Sequence, residues 1–182
     1  MSEIPAIAAA LIAGVVFVTA DDAKAMVPVK TTPKTRLTNN QVRAMIDYNN
    51  AELGNKFSDH GFLSERDVLR ICYIESQLNH FAYRYEPHLN TASYGLMQIL
   101  ETTARDIGFN GPISDLYNPL INIFWGMKYL IWINSYLTRK MGRSPTKATI
   151  LSAYNAGPGN VLRGYFASQY VAKFQASDTV FA

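Results

Sequence analysis

Glu75 has the residue type and the setting for acid–base chemistry. Val68, Ile71, Cys72 and Glu75 recur at spacings of three and four. The carboxyl group should therefore project from the apolar side of a helix, close to its C-terminal end. Loss of hydration there disfavours the charged form, and the negative end of the helix dipole pushes the same way. A carboxylic acid kept protonated near neutral pH can give a proton to a leaving oxygen, as glycoside cleavage requires. The same spacing also fits a solvated or Arg-paired glutamate at a helix edge, so periodicity alone does not choose.

Three other segments bear on that choice. Glu75-Ser76 is followed by Tyr94-Gly95-Leu96-Met97-Gln98-Ile99 with Thr102-Thr103-Ala104, and then by Ala153-Tyr154-Asn155-Ala156-Gly157. Amide side chains donate and accept at once, as an N-acetyl group demands. Tyrosine offers an apolar face and one hydroxyl, and Gly95 and Gly157 allow unusual backbone angles or close approach to main chain. In this order, the motifs resemble those of the lytic transglycosylases of the goose-lysozyme-like superfamily. Leu116, Asn118-Pro119, Asn122-Ile123, Gly126 and Tyr129-Leu130 look like that family's central helix. The resemblance covers about residues 60–165.

The resemblance implies roles. Glu75 matches the single catalytic acid/base, and Ser76 the residue beside it near the cleft. Met97 and Gln98 match residues that touch the sugars. Tyr154 matches a tyrosine whose hydroxyl lies beside the catalytic carboxyl, while Asn155 and the backbone of Ala153 match further substrate contacts. Read singly, Met97 fits a core residue equally well, Gln98 or Asn155 could cap backbone, and Gly157-Pro158-Gly159 could be only a helix stop. The chain departs from the family pattern at Asn79-His80, where Asn-Pro is frequent. The stretch from His80 to Ser93 is also somewhat long and holds Glu86. Glu86 is thus a candidate second carboxylate of the kind two-carboxylate glycosidases use, although alternation of Arg84 and Glu86 on a strand more often marks a solvated face.

The expected activity is cleavage of the β-1,4 bond between N-acetylmuramic acid and N-acetylglucosamine in peptidoglycan, with closure to a 1,6-anhydro end. A hydrolytic muramidase on the same fold and a non-catalytic wall-binding module are the alternatives. The ring closure is implied by the resemblance alone. No cofactor is called for. A single cysteine, Cys72, makes no disulfide or cysteine-based metal site, and His60, His80 and His88 lack HExxH spacing, so no metal site is expected.

These residues need elements to hold them. Thr38 with Gln41 and Ser64 with Asp67 read as capping boxes opening two helices, the first running to about residue 53. Phe81, Tyr83 and Tyr85 alternate with Ala82, Arg84 and Glu86, a short strand signal that suggests a small hairpin. Thr102 to Ile107 reads as a short helix stopped by Gly108. Asn118-Pro119 supplies an N-cap and N1 proline for a long buried helix to about Met141. Ser144-Pro145 opens another helix, ending at Asn155–Gly159, and a last one is expected over residues 159–175. The sum is a mainly α, α+β lysozyme-like fold, with a central buried helix and a small β-hairpin beside the cleft.

The domain should span residues 37–182. Residues 21–36, with Pro28 and Pro33, read as a linker. Within residues 1–20, the uncharged stretch from Ile4 to Val18 is short for a spanning helix, which needs roughly 20 residues. It has the length of a signal-peptide core, and Val18-Thr19-Ala20 could serve as a cleavage site, but no basic residue precedes it. Membrane association through residues 4–20, as signal or anchor, is expected, with a periplasmic or wall-facing location. Phage particles, secretion or conjugation machines and wall turnover are candidate settings. A formal charge of +3 is too small to argue for nucleic acid. With 48% apolar and 17% charged residues, the chain has the makings of a packed core.

Overall fold

The computed structural model describes residues 36–181, together with Val15–Val16 and Val29–Lys30. Those two pairs form short strands, β1 and β2, joined antiparallel. The rest of the expected N-terminal segment and linker lies outside the described residues.

Both capping boxes form. Helix α1 (Asn39–Glu52) starts where Gln41 N–H donates to Thr38 Oγ1, and Thr38 N–H donates back to Gln41 Oε1 at 2.9 Å. Helix α2 (Glu65–Ser76) repeats the arrangement with Ser64 and Asp67. Each satisfies two N–H groups that a helix start leaves without intrahelical partners. Three strands follow: β3 (Tyr83–Glu86), β4 (Thr91–Tyr94) and β5 (Ile99–Leu100), forming one antiparallel sheet in that order. The expected two-stranded hairpin thus gains a third strand. Ile99 is too close to the next helix to show a period-two signal, since α3 (Glu101–Asp106) begins two residues later.

After a 3-10 turn (Ile113–Tyr117), helix α4 (Pro119–Met141) forms as the Asn118-Pro119 signal indicates. Asn118 Oδ1 accepts from Leu120 N–H, and Gly142, at φ +68°, ends the helix in the left-handed conformation. Ile123, Met127, Leu130, Ile133 and Leu137 are fully buried along it. The main core gathers around this helix, while Ile99, Ala104, Phe109, Leu116 and Trp125 make a smaller cluster under the sheet.

The C-terminal region differs from the expectation in two ways. Helix α5 (Lys147–Ala156) is capped by Thr146 rather than opened at Ser144-Pro145. The single last helix is divided into α6 (Pro158–Leu162) and α7 (Ser168–Ala176). Gly164, at φ +94°, turns the chain between them. The buried Ser152 hydroxyl then accepts from Ala167 N–H at 2.8 Å, fixing the start of α7. Arg70 holds the far end of α7: its guanidinium donates to Phe174 O at 2.6 Å and lies 3.9 Å from the Phe174 ring centroid.

Candidate active site

Glu75 lies in the last turn of α2, behind the fully buried Val68, Ile71 and Cys72. The helix then ends abruptly. Gln77 and Leu78 both have positive φ (52° and 62°), a conformation that costs a bulky side chain energy and is held here by surrounding structure. Leu78 is buried and its carbonyl accepts from Leu37 N–H at 3.0 Å. This double left-handed step turns the chain back, so that β3 runs near the carboxyl group instead of continuing away from it.

Four side chains from distant segments set the proton affinity of Glu75. Burial pushes its pKa up and is the largest influence. The Tyr170 hydroxyl, from α7, donates to Glu75 Oε1 at 2.7 Å and favours the ionised form. Arg84 and Lys173 pull the same way, and Glu86 opposes them. The net shift is upward, as a proton donor requires. Arg84 and Glu86, two residues apart on β3, share one side of the strand and form an ion pair. Arg84 on that side is exposed, as alternation suggests, while Glu86 is half-buried, and both lie close enough to Glu75 to influence its titration. Glu86 lies near the site, but with its carboxylate engaged by Arg84.

The Gly95–Gln98 segment is clamped from beneath by α4. Asn122, fully buried, donates to Tyr94 O (2.8 Å) and Leu116 O (2.9 Å) and accepts from Met97 N–H (2.8 Å). Gly95, at φ +72°, sits against this amide: an added Cβ would come within 2.4 Å of Asn122 Nδ2 and Leu116 O. Gly126 plays the reciprocal part on α4, where a Cβ would fall 2.3 Å from Met97 Sδ. Met97 is therefore fully buried core. The expectation that its side chain touches sugar is corrected, because the absence of a side chain at Gly126 opens the space it fills. Gln98, at φ +45°, donates its amide to Ala82 O and Gly95 O and remains half-buried at the surface.

Tyr154 lies close enough to Glu75 to feel its charge without hydrogen-bonding it. Its hydroxyl donates to Met97 O at 2.6 Å, so Tyr170 and not Tyr154 hydrogen-bonds the carboxyl group. Tyr154 is still near Glu75, whose charge helps hold the Tyr154 phenol well above its ordinary pKa after burial has raised it. The Tyr154 ring lies 5.7 Å from that of Tyr129. Ala153 is buried and its carbonyl accepts from Gly157 N–H at 2.8 Å, closing the helix. Ser76 is turned inward, with Oγ donating to Cys72 O at 2.9 Å.

A cleft of about 740 Å³ opens beside these residues, with Gln98, Tyr129, Tyr154, Asn155 and Gly157 in its walls and His88 at the β3–β4 turn. Glu75 is not itself one of the wall residues, but Tyr154, which is, lies close enough to feel its charge. The structure thus brings Glu75, Gln98, Tyr154 and Asn155 to one region and sets Met97 and Ala153 behind it. Among the described residues, no group of three or more His, Cys, Asp or Glu side chains is arranged to hold a metal ion.

Tyr170 is the residue that sequence reasoning missed. Its only local signal is a place beside Val171 and Phe174 on the buried face of α7. Nothing nearby in the chain says that its hydroxyl meets a carboxyl group 95 residues earlier. Its influence has a definite sign. In Tyr170→Phe the carboxylate loses a stabilising donor, so the basic limb of the kcat/KM profile should move to higher pH. In Glu86→Gln a like charge is removed, and the limb should move to lower pH. A pH–rate series on both variants checks this; shifts in one common direction would contradict the arrangement.

Comparison with known proteins bears on the family. The model of the transglycosylase SLT domain matches residues 52–176. The chain belongs to the transglycosylase SLT domain family. Among its SLT relatives, the membrane-bound lytic murein transglycosylase C of Histophilus somni is 34% identical over 118 residues, covering 60% of this chain and 31% of that protein. The counterpart from Haemophilus influenzae is 37% identical over 110 residues, covering 56% and 29%. The chain thus spans about a third of the length of the curated SLT relatives it matches. The lytic transglycosylase Slt of Pseudomonas aeruginosa, solved as an inactive mutant, aligns with a TM-score of 0.51 at 21% identity, over 72% of this chain and 20% of that one. That likeness supports the mainly α, lysozyme-like fold.

Proposed function

We propose that this chain is a peptidoglycan lytic transglycosylase, cutting the β-1,4 bond between N-acetylmuramic acid and N-acetylglucosamine with Glu75 as its acid/base. The observation that carries the reading is the desolvated Glu75 carboxyl, hydrogen-bonded by Tyr170 and adjoining a cleft with amide and phenol walls. Membership of the SLT family and the names of its relatives support the same chemistry.

In the first step, protonated Glu75 gives its proton to the bridging oxygen as the glycosidic C–O bond breaks. Glu86 is held by Arg84, so the positive charge at the anomeric carbon is met by the substrate's own 2-acetamido oxygen, giving an oxazolinium-like intermediate. Ionised Glu75 then takes the proton of the muramic C6 hydroxyl. That oxygen closes onto the anomeric carbon, the acetamide is released, and Glu75 is protonated again. Tyr170 and Lys173 favour the ionised carboxylate between the steps, while burial favours the protonated form before and after. Gln98, Tyr154 and Asn155 would orient the sugars.

Digestion of purified sacculi, followed by mass analysis, tests the reaction. The expected product is lighter than the hydrolytic one by one water. Exclusive release of reducing ends would overturn the transglycosylase reading in favour of a muramidase, with Glu86 and Arg84 helping to place a water.

The domain assignment belongs to this proposal: residues 1–20 as signal or anchor, 21–36 as linker and 37–182 as the catalytic domain, facing the wall from the membrane. The apolar run and the membrane-bound relatives support it. No helix among the described residues is long and apolar enough to cross a membrane. Fractionation of envelope and particle would distinguish wall turnover, a secretion or conjugation machine, and a phage particle as the setting.

A further inference from the structure

Helix α4 carries a row of aromatic rings that runs past the cleft and that the proposed reaction does not use. Trp125, Tyr129, Trp132, Tyr136 and Lys140 follow one another at spacings of four, three, four and four, and so share one face of the helix. Three of the rings form a continuous stack. Tyr129 and Trp132 lie 5.9 Å apart and within 19° of parallel, and Trp132 and Tyr136 lie 4.9 Å apart and within 10°. Trp132 is 39% exposed, a large apolar area for a residue with no packing duty in the core. From Tyr129 to Tyr136 the stack covers about 10 Å of helix.

The stack begins inside the cleft. Tyr129 is one of the cleft walls and lies against Tyr154, while Trp132 and the half-buried Tyr136 follow it along the helix. A cation lies at the outer end of the stack: Lys140 Nζ is 5.9 Å from the Tyr136 ring centroid. An occupant suited to this face is an amphipathic polymer with apolar ring faces, hydroxyl and amide groups along its edges, and carboxylates beside it.

We propose that Trp132 and Tyr136 form an accessory binding platform for peptidoglycan glycan outside the cleft, holding the strand whose scissile bond lies at Glu75. The proposal rests on the lytic transglycosylase reading. The rings stack on one another and present their edges, so sugar hydroxyl and acetamido oxygens meet the positive ring edges and the phenol and indole tips, and stem-peptide carboxylates meet Lys140. Continuity decides between occupants. Aromatic rings with a lysine also suit a membrane interface, but the stack is continuous with the cleft wall at Tyr129, which favours the occupant of the cleft.

The test uses the full chain carrying Glu75→Gln, so that binding proceeds without cutting, with and without Trp132→Ala. In sedimentation with purified sacculi, Trp132→Ala should weaken binding about tenfold. In the active background it should raise KM for sacculi by a similar factor and leave kcat nearly unchanged. Lys140→Glu, at an exposed position, should weaken binding in the same direction and keeps the test open if Trp132→Ala folds poorly. Equal sacculus binding by both variants and their parent would overturn the platform while leaving the reaction standing. Loss of binding to anionic phospholipid vesicles with sacculus binding intact would overturn it in favour of a membrane surface. A fall in solution mass from dimer to monomer in Trp132→Ala, with sacculus binding intact, would overturn it in favour of a second copy. Absence of both cutting and sacculus binding in the unaltered chain would bring down the proposed function itself, and this inference with it.

Discussion

Glu75→Gln should lower turnover of sacculi roughly a thousandfold or more while leaving sedimentation with sacculi intact. The amide keeps the shape of the side chain and can still accept from Tyr170, so the site stays assembled. What it lacks is the proton for the bridging oxygen and the base for the C6 hydroxyl, and both steps of the proposed cycle fail together. The same change should raise Tm near neutral pH. The folded pKa of Glu75 lies above its unfolded value, so ionisation at rising pH favours the unfolded chain. Below the ordinary carboxylate range both states are protonated and the two proteins should melt alike. The gain should grow as pH rises through the folded pKa. Undiminished turnover by the variant would remove Glu75 from the mechanism.

The second large effect concerns stability. Asn122→Ala should cost about 3 kcal/mol and lower Tm by about 10 °C. The side chain is fully buried and makes three hydrogen bonds within 2.9 Å, so truncation strands Met97 N–H and removes a donor from the carbonyls of Tyr94 and Leu116. Because this amide fixes the segment that carries Gln98 and receives the Tyr154 hydroxyl, kcat/KM should fall as well. Thermal melts and sacculus turnover measure both. Asn155→Ala, on the exposed cleft wall, should leave Tm within about 2 °C. A melting point for Asn122→Ala equal to that of the unaltered protein would show that the clamp is not what supports the wall.

The contrast between these two asparagines shows what was legible in the chain. Elements announced by local chemistry appear where their signals stand: the Thr38/Gln41 and Ser64/Asp67 boxes and the Asn118-Pro119 start each depend on residues within four positions of one another. Glu75 was legible for the same reason, since its apolar helix face is written in Val68, Ile71 and Cys72. Contacts between distant segments were not. Met97 reads as cleft or core until Gly126, on another helix, shows the space its sulfur occupies. Tyr154 and Tyr170 are both buried-side tyrosines on C-terminal helices, and only the turn at Gly164 with the Ser152–Ala167 hydrogen bond decides which hydroxyl reaches Glu75. Arg84 and Glu86 read as a solvated strand face, and Arg84 is exposed; their influence on Glu75 was not legible because the double left-handed turn at Gln77-Leu78 carries no glycine to mark it.

Everything proposed for the reaction depends on Glu75 holding its proton more tightly than an ordinary glutamate. Its carboxyl carbon can be followed directly by NMR titration of selectively labelled protein, with Glu75→Gln identifying the resonance. The expected midpoint lies above the usual value of 4.5, with a further rise in Tyr170→Phe. A midpoint at or below the ordinary value, unmoved by loss of the Tyr170 hydroxyl, would contradict it.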